Sequence, residues 1–432
     1  MAAKTLAEWL DYQQSVHPRA IELGLQRAAE VWRRLGAPRP APVVITIGGT
    51  NGKGSTVAFL EAMLRAAGKR TGAYTSPHLL RYNERVRVLG EEAGAAALID
   101  AFERIEAART ADAKSPIPLT YFEFGTLAAL WIFAQSGIDV ALLEVGLGGR
   151  LDAVNIVDAD AAIVTTVDLD HQDWLGNDVD SIAREKAGIF RHGRPAIIGM
   201  REPPFGLLSE GERIGATLRR LDRDYAIERG AAGWRWRSAG EILDLPYPAL
   251  AAPCQIDNAA AALAALHALR VRLGWSPQAL AKGVRSAYLS ARLQRFTKPG
   301  AAELVIDVAH NPQAARTLAQ WFATHPTDGR ALAAFGALSD KDVGGIVEPL
   351  GVHIERWFLA GLSDDTPRGL NAGDLRERMP AAASASGFAN VDAALDAARV
   401  EARAQDRIIG FGSFFVAAAA LNWARRHGYR EA

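Results

Sequence analysis

The sequence predicts an α/β protein: an N-terminal P-loop domain on a parallel sheet with a small antiparallel addition, then a C-terminal Rossmann-like α/β domain. Three observations predict it. Short apolar, β-branched runs alternate with segments of helical period along most of the chain, as strand–helix–strand units require. The run 43–47 enters a turn with four glycines in seven positions, Gly48-Gly-Thr-Asn-Gly-Lys-Gly54. A second series of strand and helix periods starts near Phe296, without a Gly-x-Gly-x-x-Gly fingerprint after its first strand. At 432 residues the chain is long enough for two full cores, so domains of residues 1–295 and 296–432 are expected.

Composition narrows the function classes. Lys+Arg and Asp+Glu number 49 each, so no global field draws the chain to nucleic acid or an anionic membrane. The single cysteine, Cys254, excludes an intramolecular disulfide and any multi-cysteine metal site, and fits a reducing compartment. The N-terminus has no long apolar core, and no stretch reaches the ~18 apolar residues of a membrane span. A cytoplasmic location and a single working chain are expected.

Residues 18–35 read as one amphipathic helix, with Ile21, Leu25, Ala28, Val31 and Leu35 on one face. Gly36 stops it, and Pro38, Pro40 and Pro42 stiffen the lead-in to the first strand. After the glycine-rich turn, Val57, Leu60 and Leu64 mark a helix that ends at Gly68. A short strand at 71–76 and helices at 95–109 and 121–136 follow, then buried strands at 139–145 and 161–167. Helix 181–191 and strand 195–200 close the parallel part. Alternation in Trp234-Arg-Trp-Arg237 and Glu241-Ile-Leu-Asp-Leu245 suggests the antiparallel addition. Helices at 256–273 and 277–288 complete the first domain. In the second, strands are expected at 302–308, 330–337, 356–361 and 406–411. Its helices are expected near 313–324, 342–350, 372–379, 391–404 and 414–427.

Strand, glycine-rich turn and helix in that order make a phosphate cradle. Backbone N–H groups approach the oxygens, the helix N-terminus adds positive charge, and Lys53 neutralises the β and γ phosphates. The strict nucleotide-loop pattern fails, since Ile47 stands where its first Gly belongs and Gly54 where Ser or Thr belongs. Glu144 interrupts an apolar strand just before Gly146-Leu-Gly-Gly149, where a carboxylate needs a partner or a metal. A salt bridge to Arg150 is the plainer alternative to Mg²⁺. Asp168-Leu-Asp-His-Gln-Asp-Trp174, at the next strand exit, has three carboxylates and His171 for a hard cation. Asp307-Val-Ala-His-Asn-Pro312 lies where a strand of the second domain hands over to a helix, with a simple turn as its alternative.

Gly49-Thr-Asn-Gly-Lys-Gly-Ser55, Thr75-Ser-Pro-His-Leu79, Tyr121-Phe-Glu-Phe-Gly125, Glu144-Val-Gly-Leu-Gly-Gly-Arg-Leu-Asp152 and Arg184-Glu-Lys-Ala-Gly-Ile189 together resemble the folylpolyglutamate synthase family. Asp307-Val-Ala-His-Asn-Pro312 and Gly412-Ser413 carry the resemblance through the second domain. It is nearest to the family's bifunctional, dihydrofolate-synthesising branch, within the Mur ligases.

The resemblance implies a P-loop ATPase domain in an ATP-dependent amide ligase. ATP phosphorylates a substrate carboxylate, and the amine of L-glutamate displaces the phosphate, with dihydropteroate and reduced folates as acids. It implies ATP contacts at Gly49, Thr50, Asn51, Gly52, Lys53, Gly54 and Ser55, with Asn258, Arg292 and Asp307. Two Mg²⁺ sites are implied, Ser76 with Glu144 in one, and Glu144, His171 and a carbamylated Lys186 in the other. His310 is expected near the transferred phosphate and Ser413 near glutamate. The pteridine pocket would use Ala20, Ile21, Glu22 and Leu23, Tyr121, Phe122, Glu123 and Phe124, and Asp152, Ala153 and Val154. Phe122 and Phe124 would stack on the flat ring. Ala291 replaces a common family glycine, and no role is carried over to Phe415. A monofunctional polyglutamylating ligase, and a nucleotide-hydrolysing P-loop switch, remain as alternatives.

Overall fold

The computed structural model describes residues 4–19, 21–381 and 383–432. Two compact units make up the chain: residues up to Ala249 with Ile256–Tyr288, and Leu250–Gln255 with Leu289–Ala432. No helix among the described residues is long and apolar enough to cross a membrane.

The first unit is built on strands β1 (Val43–Gly48), β2 (Thr71–Tyr74), β3 (Val86–Val88), β4 (Glu91–Glu92), β5 (Val140–Glu144), β6 (Ala161–Val164), β7 (Pro195–Ile198) and β8 (Thr217–Arg220). They lie in the order β4-β3-β2-β5-β1-β6-β7-β8. Pairing is parallel from β2 to β8 and antiparallel only where β3 and β4 extend the edge. Every residue of β1 is buried, which accounts for its unbroken apolar run. The chain leaves β1 for β2, returns through β5 on one flank, then takes β6 on the other. The strand before the glycine-rich turn therefore sits at the switch point, where such sheets open a crevice at their carboxyl ends.

Residues 18–35 are not one helix. The structure has Leu6–Val16 and Gln26–Arg34, with an irregular segment between them. Pro18 and Gly24, the latter at φ +156°, lie in that segment and take the backbone out of the helix although the apolar spacing continues. The signal for the first helix stood in the sequence as a capping box. Thr5 Oγ1 accepts from Glu8 N at 3.3 Å, while Glu8 Oε2 accepts from Thr5 N at 2.6 Å.

The antiparallel addition has three strands, β9 (Tyr225–Arg229), β10 (Trp234–Ser238) and β11 (Glu241–Leu245), in the order β11-β10-β9. Trp234 and Trp236 are buried and Arg235 and Arg237 exposed, the alternation of a sheet covered on one face. The helix expected over 256–273 splits into Gln255–Ala268 and Arg270–Leu273.

The second unit holds β12 (Gln294–Thr297), β13 (Glu303–Ile306), β14 (Ala331–Phe335), β15 (Arg356–Ala360), β16 (Ala385–Phe388), β17 (Arg407–Phe411) and β18 (Arg430–Glu431). Their order is β16-β15-β14-β17-β13-β12-β18, parallel from β16 to β13. Its core packs Phe335, Trp357 and Phe411 between sheet and helices. β12 and β16 were not anticipated. Strand β12 carries Gln294 and Arg295, and β16 is Ala385-Ser-Gly-Phe388 with no residue fully buried, so neither shows an apolar run.

Candidate active site

Three strand ends meet around residues 49–53. Ile47 of β1 is level with Glu144 of β5, and Gly48 with Val164 of β6. The loop is braced by the residues that follow β6. Thr50 N donates to Thr166 O at 2.8 Å and Asn51 N to Thr166 Oγ1 at 3.0 Å. Thr165 Oγ1 donates to Asn51 O at 2.6 Å. Gly49 stands at φ +143°, and a Cβ there would overlap the Thr165 hydroxyl. Gly52 stands at φ +87°, and its Cβ would meet Asn258 Oδ1 at 2.5 Å. Both positions therefore require glycine. Lys53 opens the helix Lys53–Ala66 and donates from Nζ to the carbonyls of Gly49 and Thr50, 3.0 Å each. Ser55 is buried in the first turn of that helix and Gly54 precedes it.

Glu144 is buried, and its Oε2 accepts the Ser76 backbone N–H at 3.1 Å. The alternative partner is otherwise engaged, since Arg150 pairs with Glu185 at 2.7 Å. Arg150 N also donates to Glu185 O at 2.8 Å, and this ties the loop after β5 to the end of the helix Val179–Ala187. Lys186 lies in that last turn, buried. Burial, with the Lys53 charge adding and Asp170 opposing, lowers its pKa to about 7. His171, at φ +52°, is the N-cap of the short preceding helix Gln172–Leu175, with its Nε2 3.9 Å from Asp170 Oδ1.

Among the described residues no three His, Cys, Asp or Glu side chains form a metal cluster. Of the expected metal set only Glu144 and His171 are of those types. The residue types still suit a hard divalent cation: a buried carboxylate at Glu144, and at Lys186 an amine whose surroundings favour the neutral form.

Beside this end of the sheet lie the segments expected to take a flat ring. Phe122 is half-buried, 6.0 Å from the Tyr74 ring, and a Cβ at Gly146 would strike it at 2.5 Å. Phe124 differs from expectation. It is wholly enclosed, 5.8 Å from Phe102 and 6.3 Å from Trp9, so it has no open face for stacking. Glu123 is likewise buried, capping its helix at Thr120, with Oε1 3.0 Å from Arg27 Nη2. Arg27 also donates to the Glu22 carboxylate at 2.7 Å and the Glu22 carbonyl at 2.8 Å. It thus holds the segment of Ile21, Glu22 and Leu23 to the helix Tyr121–Gln135, a role no motif in the sequence revealed. Ala20 lies outside the described residues. Tyr121 opens that helix, its ring 5.8 Å from Tyr82. Asp152 is buried and accepts N–H bonds from Gly146 at 3.0 Å, Leu147 at 2.8 Å and Val154 at 3.0 Å. Its carboxylate thereby shapes the loop that leads into buried Ala153 and Val154.

In the second unit Asp307 follows β13 and is half-buried. Its oxygens accept from Leu293 N at 2.7 Å and Ala309 N at 2.8 Å. Burial raises its pKa, against the Arg292 charge and these N–H groups. The Phe414 ring gathers two expected site residues, with Arg292 5.5 Å above it and the His310 ring 6.0 Å away. Ser413 is buried as the N-cap of the helix Phe414–Arg426, its Oγ accepting from Val416 N at 3.1 Å.

Comparison with known proteins gives concordant matches. Residues 47–203 match the family model of the Mur ligase middle domain, and residues 291–414 that of the Mur ligase, glutamate ligase domain. The dihydrofolate synthase/folylpolyglutamate synthase of Escherichia coli (strain K12) is 44% identical over 430 residues, covering 99% of this chain and 98% of that protein. The Haemophilus influenzae protein of the same name is 38% identical over 444 residues, with coverage of 96% and 97%. Among solved structures, Escherichia coli FolC in complex with DHPP and ADP superposes at a TM-score of 0.91, with 44% identity and 99% of both chains covered. A bifunctional folylpolyglutamate synthase/dihydrofolate synthase with Mn, AMPPNP and L-glutamate bound gives 0.89, with 43% identity and 99% of both chains covered.

Proposed function

The chain belongs to the dihydrofolate synthase/folylpolyglutamate synthase family, and we propose that it joins L-glutamate to dihydropteroate and to the γ-carboxylate of reduced folates. The observation that carries this reading is the level pairing of Ile47 with Glu144, which sets a buried carboxylate beside the phosphate loop. In the first step the acid's carboxylate oxygen attacks the γ-phosphorus of ATP, and ADP leaves. In the second the glutamate amine attacks the acyl carbon, loses a proton and expels phosphate, forming the amide.

The braced loop aims the N-terminus of the helix Lys53–Ala66, with its first-turn N–H groups and the Lys53 ammonium, toward the phosphates. Lys53 exchanges its two carbonyl partners for phosphate oxygens as nucleotide enters. Asn258, packed on Gly52, fixes the loop from the nucleotide's other flank. Asp307, Arg292, His310 and Ser413 carry the second unit's share, and this unit, whose main run is Leu289–Ala432 rather than the expected 296–432, is read as the glutamate-ligase domain.

The divalent metal is read as Mg²⁺ at two sites, with Ser76 and Glu144 at one and Glu144, His171 and Lys186 at the other. Bound there, it neutralises charge developing on the transferred phosphoryl group. Lys186 reacts as the neutral amine with CO₂, releasing a proton and giving a carbamate whose oxygens suit a hard cation. Phe122 offers a face to the pterin, and Arg27 holds the Ile21–Leu23 segment opposite it.

We place the protein in the cytoplasm as a single working chain, a reading supported by its one cysteine and balanced charge. ADP release tests the function. It should require both an acid and L-glutamate, with dihydropteroate and tetrahydrofolate each accepted when assayed side by side. Turnover with tetrahydrofolate alone would leave a monofunctional ligase, and ADP release without an acid would leave a nucleotide switch.

A further inference from the structure

A polar cavity lies in the first unit, with no residue of the phosphate loop in its lining. Its volume is about 120 Å³, with Arg219, Arg270, His267, Thr217, Tyr225 and Ser238 among its lining residues. Cofactor and drug-sized ligand pockets run to roughly 300–1,000 Å³, so this space suits a small ion.

The hydrogen-bonding inventory decides the sign of that ion. Tyr225 spends its hydroxyl proton on Ile198 O at 2.9 Å, and Ser238 spends its own on Asp224 O at 2.9 Å. Arg219 and Arg270 have no carboxylate within ion-pair reach among the described residues. Arg270 gives one N–H to the His267 carbonyl at 2.8 Å, which offsets the negative end of the helix Gln255–Ala268 and leaves its other donors over. His267 is 6% exposed, held by Trp236 at 5.5 Å and Trp275 at 5.2 Å. Its ring nitrogens have no hydrogen-bond partner among the described residues. Two exposed guanidiniums without a carboxylate partner and an imidazole without a hydrogen-bond partner therefore line one cavity, a donor-rich set that favours an anion over a cation.

Charge around the imidazole agrees. Burial and Arg270 keep it neutral, Arg219 adds to them, and Glu241 from β11 is the one opposing charge. A neutral imidazole still donates one N–H.

We propose that this cavity is an oxyanion site for inorganic phosphate, separate from the phosphate loop. Arg219 and Arg270 supply charge-assisted hydrogen bonds, and His267 and Thr217 supply neutral ones. The helix Gln255–Ala268 links the two places. It carries Asn258 against Gly52 and His267 nine residues later, about 13–14 Å along the axis.

Calorimetric titration of inorganic phosphate into the ADP-saturated protein, in phosphate-free and sulfate-free buffer, tests it. The expected result is uptake of one phosphate, weakened about tenfold or more by Arg219→Gln and by Arg270→Gln. His267→Phe, which keeps the aromatic packing and removes the donor, should weaken it as well. ATP turnover at low phosphate should be unchanged in Arg219→Gln, whose side chain is exposed on an edge strand. Lys53→Ala should still bind this phosphate. No uptake by the ADP-loaded wild type, equal uptake in both arginine variants, or loss in Lys53→Ala alone would each overturn the proposal.

Discussion

Gly149 packs so closely on the last turn of Val179–Ala187 that a Cβ there would lie 3.0 Å from the Lys186 carbonyl oxygen. That contact presses the helix end onto the exit of β5 and sets the buried Lys186 amine within the influence of Lys53 and Asp170. Lys186→Ala should lower turnover by about 10²–10³-fold, the scale of losing one preorganised electrostatic group. Formate or acetate should restore part of it, and ¹³C-bicarbonate should give a carbamate resonance in the wild type only. A Lys186→Ala enzyme with normal rate would end the assignment.

Lys53 is the only cation in the loop 49–55. Lys53→Ala should reduce ATP turnover by about 10²–10³-fold and leave the far-ultraviolet circular dichroism unchanged. Retention of more than about a tenth of the rate would contradict its role in neutralising phosphate charge.

Phe122 is half-buried, with Gly146 cleared to make room for its ring. Phe122→Ala should raise KM for dihydropteroate by at least about tenfold, as loss of a ring's stacking and buried area implies, with KM for ATP nearly unchanged. Equal changes for both substrates would remove Phe122 from the pterin pocket.

Burial pushes the Asp152 carboxyl up to about 6, against the N–H groups of Leu147, Val154 and Gly146 and the charge of Lys53. The folded chain therefore binds this proton more tightly than the unfolded one. The resulting stability is full below the ordinary value of 3.8 and is lost as pH rises through about 6. Between pH 4 and 6, urea unfolding of the wild type should lose up to about 3 kcal/mol from this group, while Asp152→Asn shows no such loss. Parallel pH profiles for the two proteins would refute it.

Ala291 lies at φ +56°, in the left-handed region that favours glycine. An L-residue there costs about 1–2 kcal/mol, and glycine loses about 0.5–1 kcal/mol more entropy on folding. Ala291→Gly should therefore stabilise by between zero and about 1.5 kcal/mol, read from the urea midpoint at constant slope. A clear loss of stability would show that the position is not strained.

The phosphate loop and Glu144 were legible because their sequence signals are local: glycines around a lysine, and a carboxylate ending an apolar strand. The split of residues 18–35 was not, since a helical period survives across Pro18 and Gly24 although the backbone cannot follow it. Arg27 and Glu123 stayed hidden for another reason. Their pairing joins residues 96 apart, and an arginine on a helix face has no pattern that names its partner. Thr165 and Thr166 read simply as strand residues, although their hydroxyls hold the loop after β1. Phe124 resembled a ligand platform from sequence because enclosure depends on Trp9 and Phe102, which approach from two other helices.

The brace from Thr165 and Thr166 also bears on how fast nucleotide can be captured. A glycine-rich loop left to itself samples many shapes, and each must be discarded before phosphate oxygens find their donors. Here the carbonyl of Asn51 and the N–H groups of Thr50 and Asn51 are already tethered to the exit of β6. Encounter then needs no loop search, only a change of partners by one lysine. Capture can run at the pace set by diffusion and docking orientation, which leaves slower events, such as phosphoryl transfer or product release, to set the turnover rate.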